Sequence, residues 1–389
     1  MSTRRLDPRP ADSEAAISPS IACRRGSLYF SGLALVGQSR LNGMVLDFVL
    51  RPVGEHDLPD LRHLAGVIQD GLTTLPPEDS ALEDRINQSL RAFDRRIKKA
   101  GSDHYLFVLE EVGSGAVVGT SGIIARVGGF DPFYTYEVRR ERLVHQSLGI
   151  DHEMDVLHLK LDHKGPSEVC TLSLRPEFRR AGRGVLLSLS RFLFMACFPQ
   201  RFDERVIAEL RGFTNEAGAS PFWEAIGRHF FAQSFAQADF QSGIGQKDFI
   251  RDLMPKYPIY TATLPEEAQA VIGRVHRDAE PALKILLSQG FERTNEVDIF
   301  DAGPLVAASR SSIKAVQESQ FGEIAAIREP RDRSLYLVGH AALNFRAGLA
   351  PLEITIDRTV IISERTAEIL EVAVGDRLIF LALPSRNLQ

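Results

Sequence analysis

The stretch from Cys170 to Ala196 reads CTLSLRPEFRRAGRGVLLSLSRFLFMA. It constrains the fold more than any other segment. TLSL alternates apolar and polar residues, as a half-buried strand does. VLLSLSRFLFMA is an apolar run too long for a strand and reads as a buried helix. Between them stand arginines and two glycines. A strand that turns through glycines straight into a buried helix must lay that helix back on its own sheet. An all-α or all-β chain has no place for such a unit.

The flanking segments alternate in the same way. VLDFVLRPV is a strand from Met44 onward. EHDLPDLRHLAGVI places Leu58, Leu61, Leu64 and Ala65 on one helical face, and SALEDRINQSLRAFDRRI does so with Leu82, Ile86, Leu90 and Phe93, with Ser80 as the N-cap. YLFVLEE and AVVGTSGIIARVG form a hairpin about Gly113–Gly115. GGFDPFYTYEV through HKGPS reads as an inserted hairpin or surface loops. RVIAELRGF is a strand, and SPFWEAIGRHFF a short helix with Ser220 as N-cap and Pro221 at its first position. QKDFIRDLM, LPEEAQAVIG and AEPALKILLSQG are further helices, and FERTNEVDIFDAG is a strand. Past Pro304 the runs SIKAVQESQFGEIAAI, SLYLVGHAAL, LEITIDRTVIIS and DRLIFLALP are strand-like, and SERTAEILEV is helical. Residues 1–43, rich in Arg, Pro, Ser and Asp, read as a disordered extension. The expected division is therefore 1–43, an α+β unit over 44–304 with a mixed sheet flanked by helices, and a small β-rich domain over 305–389.

The turn RRAGRG spells Arg179-x-x-Gly182-x-Gly184. A dinucleotide fingerprint needs a third glycine where Leu187 stands, and a phosphate-binding Walker loop needs a Gly-Lys-Ser/Thr ending. Neither is present. The pattern, with a strand before it and an apolar helix after, resembles the acyl-CoA pyrophosphate loop of the Gcn5-related N-acetyltransferase superfamily. The chemistry suits the residues. Amides at a helix N-terminus face an anion, and glycines remove the Cβ atoms that would block it. Arg179, Arg180 and Arg183 add positive charge. TLSL would meet the pantetheine arm as an added strand does.

Longer blocks narrow the resemblance. LRPV, GLTTLP, DPFYTYEV, EVCTLSLRPEFRRAGRGVLLSLSRFLFMA, AELRG, ADFQSGIGQKDFI, LMPKYPIYTATLPEEAQAVIGRVH and GFERTNEVDIFDAGP resemble the arginine N-succinyltransferase family. The resemblance spans Met44 to about Pro304 and loosens beyond it. It implies transfer of succinyl from succinyl-CoA to the α-amine of L-arginine, in arginine catabolism, with ornithine accepted by some relatives. It implies no metal and no permanently bound cofactor, since succinyl-CoA is a co-substrate. Relatives sometimes form paired subunits, so a homo-oligomer or a paralogous partner is expected. The family's proton donor falls on His276 of VIGRVH. A succinyl-CoA contact falls on Leu172 of CTL, through its backbone. Carboxylates that could meet a guanidinium are Glu209, Asp298 and Asp301. Arg211, Arg274 and Thr73 could meet the distal succinyl carboxylate.

Composition excludes other classes. A net charge of -5 over 389 residues does not suit a general nucleic-acid binder. The three cysteines form no CxxC pair, and no apolar run spans a membrane, so a cytoplasmic setting is expected. Two other functions stay open at this point: another amino-acid N-acyltransferase using ornithine or acetyl-CoA, and a non-catalytic partner subunit. Turnover by the chain alone separates the last from the others.

Overall fold

The computed structural model describes residues 46–67, 75–94, 96–179, 182–243 and 248–383. The extension over 1–43, Thr73 and Arg180 lie outside them.

Strand β1 (Phe48–Pro52) opens the fold, followed by helices α1 (Leu58–Val67) and α2 (Asp79–Ala92). Leu61, Leu64, Leu82 and Ile86 turn inward onto Leu106 and Val108 of β2 (His104–Glu111) and Val117 of β3 (Val117–Ile124). Glu78, not Ser80, is the N-cap of α2, and Leu90 stays exposed. The helix begins two residues earlier than a Ser80 cap would set it, because the amide of Leu82 already bonds the Glu78 carbonyl. The stretch read as a hairpin or loops is a long hairpin, β4 (Phe133–His145) and β5 (Ile150–Asp162), paired along its whole length.

Strand β6 (Ser167–Leu174), the glycine turn and helix α3 (Arg183–Cys197) form the expected unit. Phe192 and Phe194 of α3 are fully buried, and Phe194 packs against Phe107, Tyr105 and Phe345. Strand β7 (Arg205–Glu209) follows. Helices α4 (Pro221–Ala225) and α5 (Gly227–Phe231) come next; the single helix expected there is broken at Ile226. The Trp223 ring lies so close to Gly227 that a Cβ there would stand 2.2 Å from it. Helices α6 (Phe235–Gly243) and α7 (Asp248–Leu253) and strand β8 (Ile259–Tyr260) lead to α8 (Glu266–Gln269). Here the expected helix through Gly273 is cut short. Residues after Gln269 tighten into turns, and Gly273, in the left-handed region, donates its N–H to Ala302 instead.

Helix α9 (Glu280–Ser288), strand β9 (Glu292–Val297) and strand β10 (Pro304–Ser309) complete this half. The run from Ser312 expected to be strand begins as helix α10 (Lys314–Glu318). Gln289 explains it: its backbone carbonyl accepts from the amide of Lys314, and its side-chain oxygen from that of Ala315. Strands β11 (Gln320–Ile327), β12 (Leu335–His340), β13 (Ala347–Pro351), β14 (Glu353–Ile354) and β15 (Val360–Ile362) follow, then α11 (Glu364–Leu370) and β16 (Arg377–Ala382).

The strands form one mixed sheet in the order β14-β15-β11-β16-β12-β13-β1-β2-β3-β6-β7-β10-β9-β4-β5-β8. Helices flank it, so the class is α+β. Neighbours are antiparallel except β6–β7 and β11–β15. The parallel pair β6–β7 lies near the middle of the sheet, and the site is built there.

Candidate active site

Strands β6 and β7 pair only at Ser167↔Val206 and Glu168↔Ile207. Beyond Glu168 they part, although β6 runs on to Leu174 and β7 to Glu209. Parting leaves backbone groups of both strands facing an opening rather than each other. A local irregularity shapes one lip. Thr171 has φ 51°, and the β3–β6 register slips between Thr120 and Gly122. The Thr120 hydroxyl donates to the Thr171 carbonyl at 3.0 Å and pins the bulge. A Cβ on Gly122 would stand 2.9 Å from the Thr171 hydroxyl, so a side chain there would push on the bulge.

The opening is a cavity of about 970 Å³ that passes between the two strands. Residues 168–174 of β6 form one wall, and Ala208, Glu209, Leu210 and Arg211 the other. One end is lined by Gly182, which caps α3, by Gly184 and Leu187 of α3, and by Ala279, Ala282 and Ile285 at α9. Asp84, Arg85 and Gln88 of α2, the approach to β4, and Asp239 of α6 line the cavity as well. The lining is therefore drawn from helices on both faces of the sheet.

The turn has a distinct geometry. Gly182 caps α3 in the left-handed conformation, φ 79°, ψ -4°. A side chain there would be strained whatever the space. Gly184 is different: a Cβ built on it meets nothing within 4 Å. Arg179 lines the cavity and donates from Nε to the Leu174 carbonyl at 3.0 Å. Arg183 is turned inward, its guanidinium 4.4 Å from the Phe48 ring and 5.3 Å from that of Phe178. It does not line the cavity. Leu172 does, while its side chain also packs against the main core.

On the β7 side, Glu209, Arg211, Asp298 and Asp301 come together in the cavity wall. Asp301 accepts the Gly212 and Gly303 amides, each at 2.7 Å, and Asp298 accepts those of Phe300 at 2.7 Å and Asp301 at 2.9 Å. Burial pushes both carboxyls up, and the Asp298 charge pushes Asp301 further. Arg274 is placed apart, stacked 4.2 Å from the Phe213 ring.

His276 follows Val275, which bridges to Gly212, and its amide donates to the Arg211 carbonyl at 2.8 Å. It lies between two cavity residues, Arg211 and Asp278, but is not itself in the wall. Its Nδ1 accepts the Asp278 amide at 3.2 Å, so the neutral ring carries its hydrogen on Nε2. Burial lowers its pKa, and the Arg211 cation lowers it further, against the opposing Asp278 carboxylate.

Sequence reasoning passed over Arg191. It is the one cation in the apolar run of α3, which was a signal, and it lines the cavity from a fully buried position. It also passed over Arg85 and Asp239, whose place in the cavity depends on how the helices pack. The bulge at Thr171 carries no sequence mark of its own.

The chain can be compared with known proteins at this point. The arginine N-succinyltransferase beta subunit family matches residues 48–315, and the C-terminal domain of that subunit matches residues 323–382. The arginine N-succinyltransferase of Enterobacter sp. (strain 638) is 42% identical over 332 residues, which is 84% of this chain and 95% of that protein. That of Salmonella paratyphi B is 42% identical over 334 residues, 85% of this chain and 96% of that protein. The solved structure of arginine/ornithine succinyltransferase subunit AI from Pseudomonas aeruginosa superposes with a TM-score of 0.77 at 33% identity, covering 86% of this chain and 98% of that one.

Proposed function

The chain belongs to the arginine N-succinyltransferase family, and from that premise we propose how its cavity moves succinyl from succinyl-CoA to the α-amine of L-arginine. The observation that carries the reading is the parting of β6 and β7 directly below a glycine turn at a helix N-terminus. A CoA pyrophosphate rests on the amides of Gly182 to Gly184, with Arg179 beside it and Arg180 as a further cation. The helix supplies the positive end of its dipole there. Arg183 contributes its backbone and holds the turn against Phe48 and Phe178. The pantetheine arm follows the free edge of β6 past Leu172, which is met through its main chain.

L-Arginine enters from the α2 and α6 face. Its guanidinium meets Asp298 and Glu209, and Asp301 holds the loop that presents them. Burial raises the pKa of the acidic pair, and an incoming guanidinium supplies a counter-charge that favours its ionised form. Arg211 shares the wall with these acids and holds His276 by its carbonyl.

The α-ammonium must first lose a proton, since only the free amine attacks. The nitrogen lone pair then forms a bond to the thioester carbon, and the carbonyl electrons move to oxygen. A backbone N–H at the Thr171 bulge stabilises that oxyanion. Collapse breaks the carbon–sulfur bond. The proton shed before attack goes to solvent; after attack His276 takes the second proton from the nitrogen and, as imidazolium, gives one to the leaving thiolate, so the count balances. Its Nε2 is the nitrogen left to donate. Because the ring stands just behind the wall, it must turn toward the cavity to act.

All residues that line the cavity fall between Ala81 and Asp301. This supports reading 44–304 as the catalytic unit and 305–389 as a β-rich unit that braces it through β13 and β1. Among the described residues, no helix is long and apolar enough to cross a membrane. We place the reaction in the cytoplasm, where an acyl-CoA thioester and the free thiols Cys170 and Cys197 are stable.

Thiol release across a panel of acyl-CoAs and amino acids tests the whole reading. Succinyl-CoA with L-arginine should give the largest kcat/KM, with the purified chain acting alone. Equal rates with acetyl-CoA would overturn the donor, and equal rates with ornithine the acceptor.

A further inference from the structure

We propose that Arg191 receives the distal carboxylate of the succinyl chain and so selects succinyl over uncharged acyl donors; this rests on reading the cavity as a succinyl-CoA site. Gly184, Leu187 and Arg191 recur at spacings of three and four along α3, on one face, and all three line the cavity. Helical rise from Gly184 to Arg191 is about 10 Å, directed away from the phosphate turn. Strand β6 runs back along the same path. Its Leu174 carbonyl holds Arg179 beside the turn, and its Cys170 carbonyl accepts from Arg191 Nη1 at 3.2 Å. A donor anchored at the turn and following β6 therefore brings its acyl end toward Cys170. There the strands close at Glu168 and Ile207. The tail of the acyl chain ends beside Arg191.

The guanidinium is placed to receive an anion. Arg191 is 1% exposed. Nη2 donates to the Ser188 hydroxyl at 3.0 Å and Nε to the Ser188 carbonyl at 3.3 Å. Those partners and the Cys170 carbonyl are all neutral. A guanidinium has five N–H groups, and these three bonds leave two unused. Among the described residues no carboxylate forms an ion pair with it. A buried cation without a counter-charge is costly, and burial lowers the pKa of Arg191 to about 10. One carboxylate from the ligand would complete the pair in the forked geometry that arginine favours.

The other cations in the wall are placed differently. Arg126 is paired with Asp203 at 3.0 Å. Arg179 sits at the phosphate end. Arg211 lies beside Glu209 and His276. Arg85 lies on the opposite face, carried by α2, with Glu168 and Asp84 near it, and its Nη1 lies 2.6 Å from His104 Nδ1.

The test compares succinyl-CoA with butyryl-CoA, which has the same chain length without the carboxylate. Thiol release with saturating L-arginine gives kcat/KM for each donor in the wild type, Arg191→Met and Arg191→Lys. The wild type should prefer succinyl-CoA by about a hundredfold or more. Arg191→Met should bring the ratio close to one, chiefly through loss with succinyl-CoA, while inhibition by free CoA stays unchanged. Arg191→Lys should fall between. A packing role would lower both donors alike, so an unchanged ratio in Arg191→Met overturns the proposal even if overall activity drops. Should that variant fail to fold, the ratio in Arg191→Lys decides: unchanged refutes, a fall of tenfold or more supports. A wild type that does not prefer succinyl-CoA would instead refute the succinyl reading, and this proposal with it.

Discussion

Replacing Gly184 with valine separates ligand binding from folding more cleanly than any other change at the turn. The two glycines differ in a way that decides this. Gly182 has φ 79°, so a side chain there strains the backbone by about 1–2 kcal/mol. A loss of activity at Gly182 would mix instability with obstruction. Gly184 lies within α3, and beyond its chain neighbours and its own helix backbone a Cβ on it meets nothing within 4 Å. Valine exceeds glycine in helix propensity by a few tenths of a kcal/mol, so Gly184→Val should melt at or slightly above the wild-type temperature. Its branches would occupy the approach to the outward-facing amides. A pyrophosphate pushed off one of them loses a charge-assisted hydrogen bond of about 1.5–3 kcal/mol. That is roughly a ten- to hundredfold rise in KM for the acyl-CoA donor. The KM for L-arginine, which enters from the opposite face, should move little. Initial-rate kinetics with a melting curve on the same preparation give both numbers. A stable Gly184→Val with unchanged donor KM would show that the phosphates bind elsewhere.

Two further predictions concern the reacting groups. His276→Ala should lower kcat by roughly 10²–10⁴-fold with little change in either KM, and His276→Gln, which cannot transfer a proton, should not restore it. Near-normal kcat in the folded alanine variant would remove His276 from the mechanism. Burial raises the carboxyl pKa of Asp298 and Asp301 and a bound guanidinium favours their ionised form, so binding of L-arginine should release protons over the pH range in which the free pair still holds them. Its affinity should rise with pH as these carboxyls ionise. Calorimetry in buffers of different ionisation enthalpy measures the release, and Asp298→Asn should reduce it. Binding without proton exchange would place the guanidinium away from this pair.

Much of the molecule can be read from local order. The strand, glycine turn and apolar helix over 170–196 follow from period and from residues that cannot do anything else at a helix start. The hairpin about Gly113–Gly115 and the cap at Ser220 are equally local. Errors arose where a distant group competed with local preference. Gln289 starts a helix at Lys314 in a run rich in strand formers, and the Ala302 carbonyl draws Gly273 out of helix. The site shows the same division. Glycines 182 and 184 announce an anion site because backbone chemistry at a helix N-terminus is local. The parting of β6 from β7, the bulge at Thr171 and the burial of Arg191 arise only when strands remote in sequence pair for two residues and then separate. Pairing is set by packing on both faces of the sheet, which no single segment encodes. Sequence alone therefore determined what kind of ligand end the turn can hold, and tertiary structure decided where its acyl end must lie.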